Sequence, residues 1–262
     1  MISFPGAKIN LGLKIVSKRE DRYHNIESCF YPVPWRDSLE VLKAPSFAFK
    51  SYGLEIPGDP NTNLCVRAYH LLQKNFDIPP VEIHLLKQIP IGAGLGGGSA
   101  DGAFTLKILN EYFVLELSNQ ALETYSLELG SDCPFFIRNQ PVIAEGRGEI
   151  FSPVSLDLTG YYLAIYNPGI RIATKEAYAG VKPQPSEQSV KQIVSQPLED
   201  WKDLLGNDFE PSIFKNYPTI AQLKNEMYKA GAIYAAMTGS GSTVYGLFAN
   251  EPEGVDWRVF RL

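Results

Sequence analysis

Apolar and polar residues alternate most regularly near the start of the chain, where Ile9, Leu11, Leu13 and Ile15 occupy every second position. That period puts them on one face of a half-buried strand. Short runs at 39–42 and 47–49 predict further strands. The stretch 63–76 predicts a helix, with Leu64, Ala68, Leu71 and Leu72 on one stripe. Period two returns at Val81, Ile83 and Leu85. The segment PIGAGLGGGSADG follows at 90–102, and then Ala103, Leu106, Leu109 and Phe113 are spaced for a helix that starts near Ser99. In the second half, 161–166 reads as a buried strand closed by the turn Asn167-Pro168-Gly169. Pro183, Pro185 and Pro197, set among Ser and Gln, predict an exposed, mobile excursion over 182–197 around one short helix. Residues 218–230 predict a helix with Pro218 in its first turn and Gly231 just past its end. Ile233, Ala235 and Met237 then lead into a second glycine-rich turn at 238–242, after which 244–248 resumes as strand. No segment repeats at a fixed period.

Composition narrows the class. A chain of 262 residues with 45% hydrophobic and 20% charged residues has the balance of one large or two modest globular domains. Its net charge of -5, with no basic run, excludes a general nucleic-acid binder, which needs a cationic stripe to displace counterions. The three cysteines, Cys29, Cys65 and Cys133, are odd in number and form no CxxC, so neither a disulfide framework nor a zinc site is expected. Pro5, Lys8 and Asn10 interrupt the first apolar stretch, which makes it a poor signal peptide, and no apolar run reaches membrane-spanning length. A cytoplasmic protein with no membrane partner is the expectation.

The candidate chemistry lies in the glycine cluster. Gly94, Gly96, Gly97 and Gly98 lead directly into a helix that begins Ser99-Ala100-Asp101. A helix start presents unpaired N–H groups and a partial positive charge, and glycines let the backbone approach an anion closely. Together they make a phosphate cradle, to which Ser99 adds a hydroxyl. A flexible turn without function is the bland alternative. The Walker pattern GxxxxGK[ST] is absent, and no VAIK, HRD or DFG of a protein kinase follows. Gly92-x-Gly94-x-x-Gly97 does match GxGxxG, with Glu116 about twenty residues on, so a dinucleotide-binding oxidoreductase stays open on these residues.

The whole segment PIGAGLGGGSADG resembles the phosphate-binding motif of the GHMP kinases, roughly P-x-G-x-G-L-G-[GS]-S-[AS]. Pro90, Gly92, Gly94, Leu95, Gly96, Gly97, Gly98, Ser99 and Ala100 match it. PGAKINLGLKI at 5–15 resembles the first motif of that family, and MTGSGSTVYGLF at 237–248 resembles its third. REDRYHNIES, NLCVRAYHLL, LGSDCPFFI, AEGRGE and NPGIRIATKEAY are similar to segments of the branch whose small-molecule substrate carries a cytidine diphosphate group. Two positions depart from that branch: Arg22 stands where glycine is usual, and Tyr178 where phenylalanine is.

The resemblance implies roles. Asp132 would accept or orient the proton of the attacking hydroxyl; its plain alternative is a turn-capping aspartate. Lys8 would pair with Asp132, since a cation beside a carboxylate favours the ionised form; a solvent-facing strand lysine is the alternative. Tyr23 and Tyr178 would be two plates for the cytosine and His24 would read its edge, set against ordinary aromatic packing. Asn10, Thr174, Gly239 and Ser240 would contact the substrate, with Gly241 shaping the same turn. Asn61, Asn63 and Lys87 would border ATP, or else be ordinary loop and strand residues. Cys133, beside Asp132, is read as a small buried residue without chemistry.

The implied architecture is α+β in two domains, 1–154 holding the nucleotide cradle and 155–262 a ferredoxin-like C-terminal domain, with a cleft between them. The implied activity is transfer of a phosphoryl group from ATP, with Mg²⁺, to a hydroxyl of that substrate in isoprenoid precursor synthesis, by a monomer or weak homodimer. Another GHMP small-molecule kinase, or an inactive GHMP-fold ligand-binding protein, is the alternative.

Overall fold

A computed structural model of the chain describes residues 1–185 and 188–262. By its internal contacts the chain forms two compact units. The first gathers Met1–Lys8, Pro32–Ile91 and Gly96–Gln140; the second gathers Ile9–Tyr31, Gly92–Leu95 and Pro141–Leu262.

In the first unit a four-stranded sheet runs in the order Ile2–Ser3, Ser38–Lys43, Val81–Lys87, Ala48–Gly53. Ser38–Lys43 and Val81–Lys87 pair antiparallel, with Leu39 opposite Leu85 and Val41 opposite Ile83. All four of these side chains are buried, as their spacing by two requires. Helix Gly97–Tyr112 packs on Ser38–Lys43 and on helix Leu64–Asn75. It contributes Ala100, Ala103, Leu106 and Leu109 to the core. Helix Leu64–Asn75 starts where its sequence dictates, because the Asn63 side chain accepts from the Cys65 N–H as an N-cap.

The second unit has an antiparallel sheet in the order Tyr234–Met237, Val244–Phe248, Tyr162–Tyr166, Arg258–Arg261. Helix Pro218–Lys229 buries Ile220, Leu223 and Met227 in the core around it. Pro218 takes the first turn, and Gly231 follows the end at φ +97°, as expected of a helix stop. A further sheet orders Gly6–Lys18, His24–Arg36, Val142–Gly146 and Ile150–Pro153. Its residues 9–31 and its last two strands belong to the second unit.

Mixed sheets and segregated helices make the fold α+β, as the sequence implied. The loop helix begins at Gly97, two residues before the expected Ser99, because Gly96 turns left-handed at φ 69° and serves as its N-cap. Strand His24–Arg36 was not foreseen: Pro32 and Pro34 lie inside it and disguise its period. Helix Asn119–Leu129, which opens on the Ser118 cap, was also not foreseen. Of the 182–197 excursion, positions 186 and 187 lie outside the described residues. Its expected short helix is Val190–Val194, opened by a Ser189–Gln192 capping box, and contrary to the expected exposure it buries Val190, Ile193 and Val194.

Gly102 sets how closely the loop helix approaches its neighbour. A Cβ there would stand 2.9 Å from the Leu64 Cβ. Gly102→Val is expected to destabilise the protein by about 2 kcal/mol through overpacking, read as a lower midpoint of urea unfolding.

Candidate active site

The first internal hydrogen bond of helix Gly97–Tyr112 runs from the Ala100 N–H to the Gly96 carbonyl, 2.9 Å. The N–H groups of Gly97, Gly98 and Ser99 therefore precede the helical ladder. No side chain caps this end, and no acidic residue stands in its first turn. An anion would meet bare donors and the positive end of the helix dipole. A Cβ at Gly98 would find nothing within 4 Å, so the open space beside it is room for a ligand rather than for the protein's own packing. These features fit the phosphates of a nucleotide.

The two halves of the loop are fixed by different partners. Gly94, at φ +79°, lies where a Cβ would fall 2.1 Å from the Thr238 carbonyl oxygen. Gly96, at φ +69°, is pressed by Phe136 and by the Lys8 stem, whose Cγ would stand 3.1 Å from an added Cβ. Only glycine satisfies both the backbone and the space at these two positions.

Lys8 and Asp132 come together as the sequence reading expected. The Lys8 ammonium lies 3.4 Å from Asp132 Oδ2, with Lys8 buried and the Asp132 side chain 34% exposed. Asp132 leads into the short helix Phe135–Arg138, and its neighbour Cys133 is fully buried. Burial pushes the Cys133 thiol up to about 12, partly opposed by a hydrogen bond with Ser99, so it stays an uncharged packing residue.

Lys87 is placed differently from the expectation that it borders ATP. It is 2% exposed, and its ammonium donates to Asp101 Oδ2 at 2.7 Å and to Asp37 Oδ2. Burial works against the ammonium, but Asp101 and Asp37 outweigh it and hold Lys87 above the usual lysine range. Asn63 is occupied as a helix cap, and Asn61 is exposed within the 3-10 turn Pro60–Thr62.

In the second unit Asn10 is 2% exposed and its amide is engaged. Its Nδ2 donates to Ser28 Oγ at 2.9 Å, and its backbone N–H donates to Thr238 Oγ1 at 3.0 Å. Asn207 Nδ2 donates to the carbonyls of Met237 and Gly239 at 2.7 and 2.9 Å. These two asparagines brace the turn that carries Gly239, Ser240 and Gly241. Gly239 is buried against Gly94, and Ser240 is half-buried.

The Tyr178 ring stacks on His24 at 4.7 Å and 16°, and meets Phe209 edge-on at 4.9 Å. Burial, then the Lys18 charge, lowers the His24 pKa, which favours a neutral imidazole. Tyr23 is 56% exposed, with the Arg147 guanidinium 5.2 Å over its ring. Glu149 holds that arginine through Nε at 3.3 Å. Arg22 adopts φ 68°, the left-handed turn that glycine takes most easily, so the departure at this position keeps the turn. Thr174 is exposed at the start of helix Thr174–Ala179.

Sequence reasoning passed over Asp37, Asp101, Asn207 and Arg147. Asp101 alone carried a signal, a charge one turn into the apolar helix that leaves the loop. The others gain their partners only through the fold.

Residues 63–140 match the GHMP kinases N terminal domain, and residues 189–255 match the GHMP kinases C terminal domain. The chain belongs to the GHMP kinases, and it is an ATP-dependent small-molecule kinase. Relatives named 4-diphosphocytidyl-2-C-methyl-D-erythritol kinase are 53% identical in Bacteroides thetaiotaomicron, over 98% of this chain and 96% of that one, and 54% identical in Cytophaga hutchinsonii, over 97% and 94%. A crystal structure of 4-(cytidine 5'-diphospho)-2C-methyl-D-erythritol kinase superposes with TM-score 0.82 at 31% identity, covering 94% of this chain and 90% of that one. The Methanococcus jannaschii mevalonate kinase shares the fold, with TM-score 0.73 at 15% identity, over 99% and 96%. Among the described residues no helix is long and apolar enough to cross a membrane.

Two glycine substitutions separate folding from binding. Gly94→Ala is expected to cost about 2 kcal/mol or more, from its left-handed φ and its carbonyl neighbour, and to lower the melting temperature. Gly98→Ala is expected to leave the melting temperature unchanged or raised, yet to weaken ATP binding about tenfold in a calorimetric titration.

Proposed function

We propose that the protein transfers the γ-phosphoryl group of ATP to the 2-hydroxyl of 4-diphosphocytidyl-2-C-methyl-D-erythritol, giving ADP and the 2-phosphate. The observation that carries this reading is the Lys8–Asp132 pair, set against the glycine loop through the contact of the Lys8 stem with Gly96. The names of the relatives support the choice of acceptor. The family matches at 63–140 and 189–255 fall one in each of the parts 1–154 and 155–262, which supports reading the first as the ATP-binding part.

The chemistry needs little beyond position and charge, because phosphoryl transfer passes through a loose transition state. The N–H groups of Gly97, Gly98 and Ser99 hold the phosphates of ATP. Mg²⁺ arrives with the nucleotide and offsets charge on its phosphates. Asp132, the more exposed of the pair, accepts the proton of the substrate hydroxyl. That oxygen bonds to the γ-phosphorus as the bond to the bridging oxygen breaks and ADP leaves. The Lys8 ammonium aligns Asp132 and attracts the negative charge of the moving group.

Tyr23, His24 and Tyr178 form the aromatic site for the cytosine, where stacking contributes roughly 1–3 kcal/mol per ring. His24 stacks on Tyr178 in the protein alone, so a base that uses that ring face must exchange with the imidazole. Asn10 serves the site by bracing the 238–242 turn, while Gly239, Ser240 and Thr174 line the approach of the substrate. The three buried free thiols fit a reducing cytoplasm.

The decisive assay is ADP release with Mg·ATP against the cytidyl substrate, mevalonate, homoserine and galactose, for the wild type and Asp132→Asn. Turnover is expected with the cytidyl substrate alone, and kcat is expected to fall by at least about 100-fold in the variant. Turnover with a different acceptor would keep the kinase and discard the base site. Undiminished turnover in Asp132→Asn would remove Asp132 from the mechanism.

A further inference from the structure

Three charged side chains are closed off from water at the foot of the phosphate loop. Asp37, Lys87 and Asp101 are 0%, 2% and 3% exposed. Asp37 Oδ1 accepts from the N–H groups of Gln88 and Ile89, at 2.6 and 2.9 Å, so it holds the chain entering the loop. Lys87 reaches from Asp37 to Asp101, which lies one turn into the helix leaving the loop. The Lys87 Nζ lies directly under the helix start, 2.9 Å from where a Cβ of Gly97 would be. One connected group therefore fixes both ends of the phosphate cradle.

Its charge count is odd. Two carboxylates and one ammonium would leave a net negative charge buried beneath a site that must accept a polyanion, and an uncompensated buried charge is costly. The hydrogen bonds indicate how this is avoided. Asp37 has three donors, whereas Asp101 Oδ1 is buried with no partner among the described residues when both carboxyls are treated as acceptors. Protonated, Asp101 can donate to the neighbouring Asp37 carboxylate. Two carboxyls sharing a site favour one proton between them.

We propose that Asp37, Lys87 and Asp101 are positioning residues for the phosphate loop, and that one proton held between the two carboxyls keeps the group neutral so that the loop accepts ATP. The proposal rests on the kinase reading. It goes beyond it by placing a proton-dependent control on the loop rather than at the reacting atoms.

Burial raises the Asp101 carboxyl, Lys87 opposes the rise and Asp37 adds to it, with the result at about 8. The other titratable group facing it is Cys65, whose thiol burial pushes up, so it stays neutral. The Thr105 hydroxyl donates to the Asp101 backbone carbonyl and carries no charge. Because the native value lies above the ordinary 3.8, the native state holds the proton more tightly than the unfolded chain. The associated stability is full below about 3.8, falls as pH rises between the two values, and levels off above about 8.

The test is the KM for ATP and the KM for the acceptor from pH 6.5 to 9.5, together with the melting temperature over the same range. In the wild type the KM for ATP is expected to rise about fivefold above pH 8, as one buried negative charge appears near the phosphates, while the acceptor KM stays level. Asp101→Asn keeps an oxygen for Lys87 and supplies an N–H for Asp37, but has no proton to lose. It is expected to give a KM for ATP that stays level from pH 6.5 to 9.5, and to abolish the fall in melting temperature that the wild type shows from pH 6.5 to about 8, where its stability levels off. Lys87→Met is expected to raise the KM for ATP about tenfold at every pH without moving the acceptor KM. A level wild-type profile, or the same rise in Asp101→Asn, would overturn the proposal. If Lys87→Met does not fold, the Asp101→Asn comparison decides alone. If the wild type releases no ADP with any acceptor, the acceptor reading fails, and the dissociation constant for ATP over the same pH range decides the proposal by itself.

Discussion

Three backbone N–H groups at the start of helix Gly97–Tyr112 come before its first internal hydrogen bond, and the protein keeps them bare. An ordinary helix would cap them with Ser, Thr, Asp or Asn. Here Gly96 occupies the cap position in a left-handed conformation and offers no side chain. The first turn carries no carboxylate to compete with a ligand. A helix end of this kind is open to an anion, which displaces only water from it. Much of the surrounding structure holds it in place: Lys8 and Phe136 against Gly96, Lys87 and Ile89 against Gly97, and Asp37 on the two N–H groups ahead of the loop.

Two lysines that meet aspartates in the first unit show how burial divides labour between identical side-chain types. Lys8 and Asp132 meet at 3.4 Å with the carboxylate a third exposed, a geometry that leaves it within reach of solvent. Lys87 is sealed between two carboxyls, each less than 5% exposed. There a charge cannot trade its partner for water, so rigidity is what the arrangement provides. Both lysines carry the same charge, and access to solvent separates their roles.

The sequence made the glycine loop and the strand that carries Lys8 legible by local pattern, whereas the role of Asp132 and its pairing with Lys8 came from the family resemblance. Glycines crowd where backbone must meet an anion, but a strand lysine or a turn aspartate is by itself as readily a solvent-facing or capping residue. Helix Leu64–Asn75 was legible through its Asn63 cap and apolar stripe, and helix Pro218–Lys229 through Pro218 and Gly231. Asp37 was not legible, because its partners are about fifty residues away and two of them are backbone amides. Asn207 likewise braces carbonyls about thirty residues on, and asparagine is an ordinary loop residue. Tyr178 was read as a free plate, whereas its stacking on His24 depends on how 24 and 178 are brought together. Strand His24–Arg36 was hidden by two prolines that a period-two reading rejects. Long-range polar pairing and tertiary tolerance of proline are the two things that local pattern does not carry.

The interleaving of chain segments between the units has a consequence for synthesis on the ribosome. The first unit has received all of its residues once position 140 has emerged. The second is begun by residues 9–31 and 92–95, yet it waits for everything from 141 to 262. At ordinary translation speeds that interval is on the order of ten seconds, long compared with the folding of a single domain. During it, Ile9, Leu11, Leu13 and Ile15 are out of the tunnel while most of the core that will bury them is still untranslated. The nascent chain therefore carries a stretch of strand-forming apolar sequence beside a nearly finished neighbour, and its exposure to chaperones and to other nascent chains is set by the pace of elongation over the last half of the message.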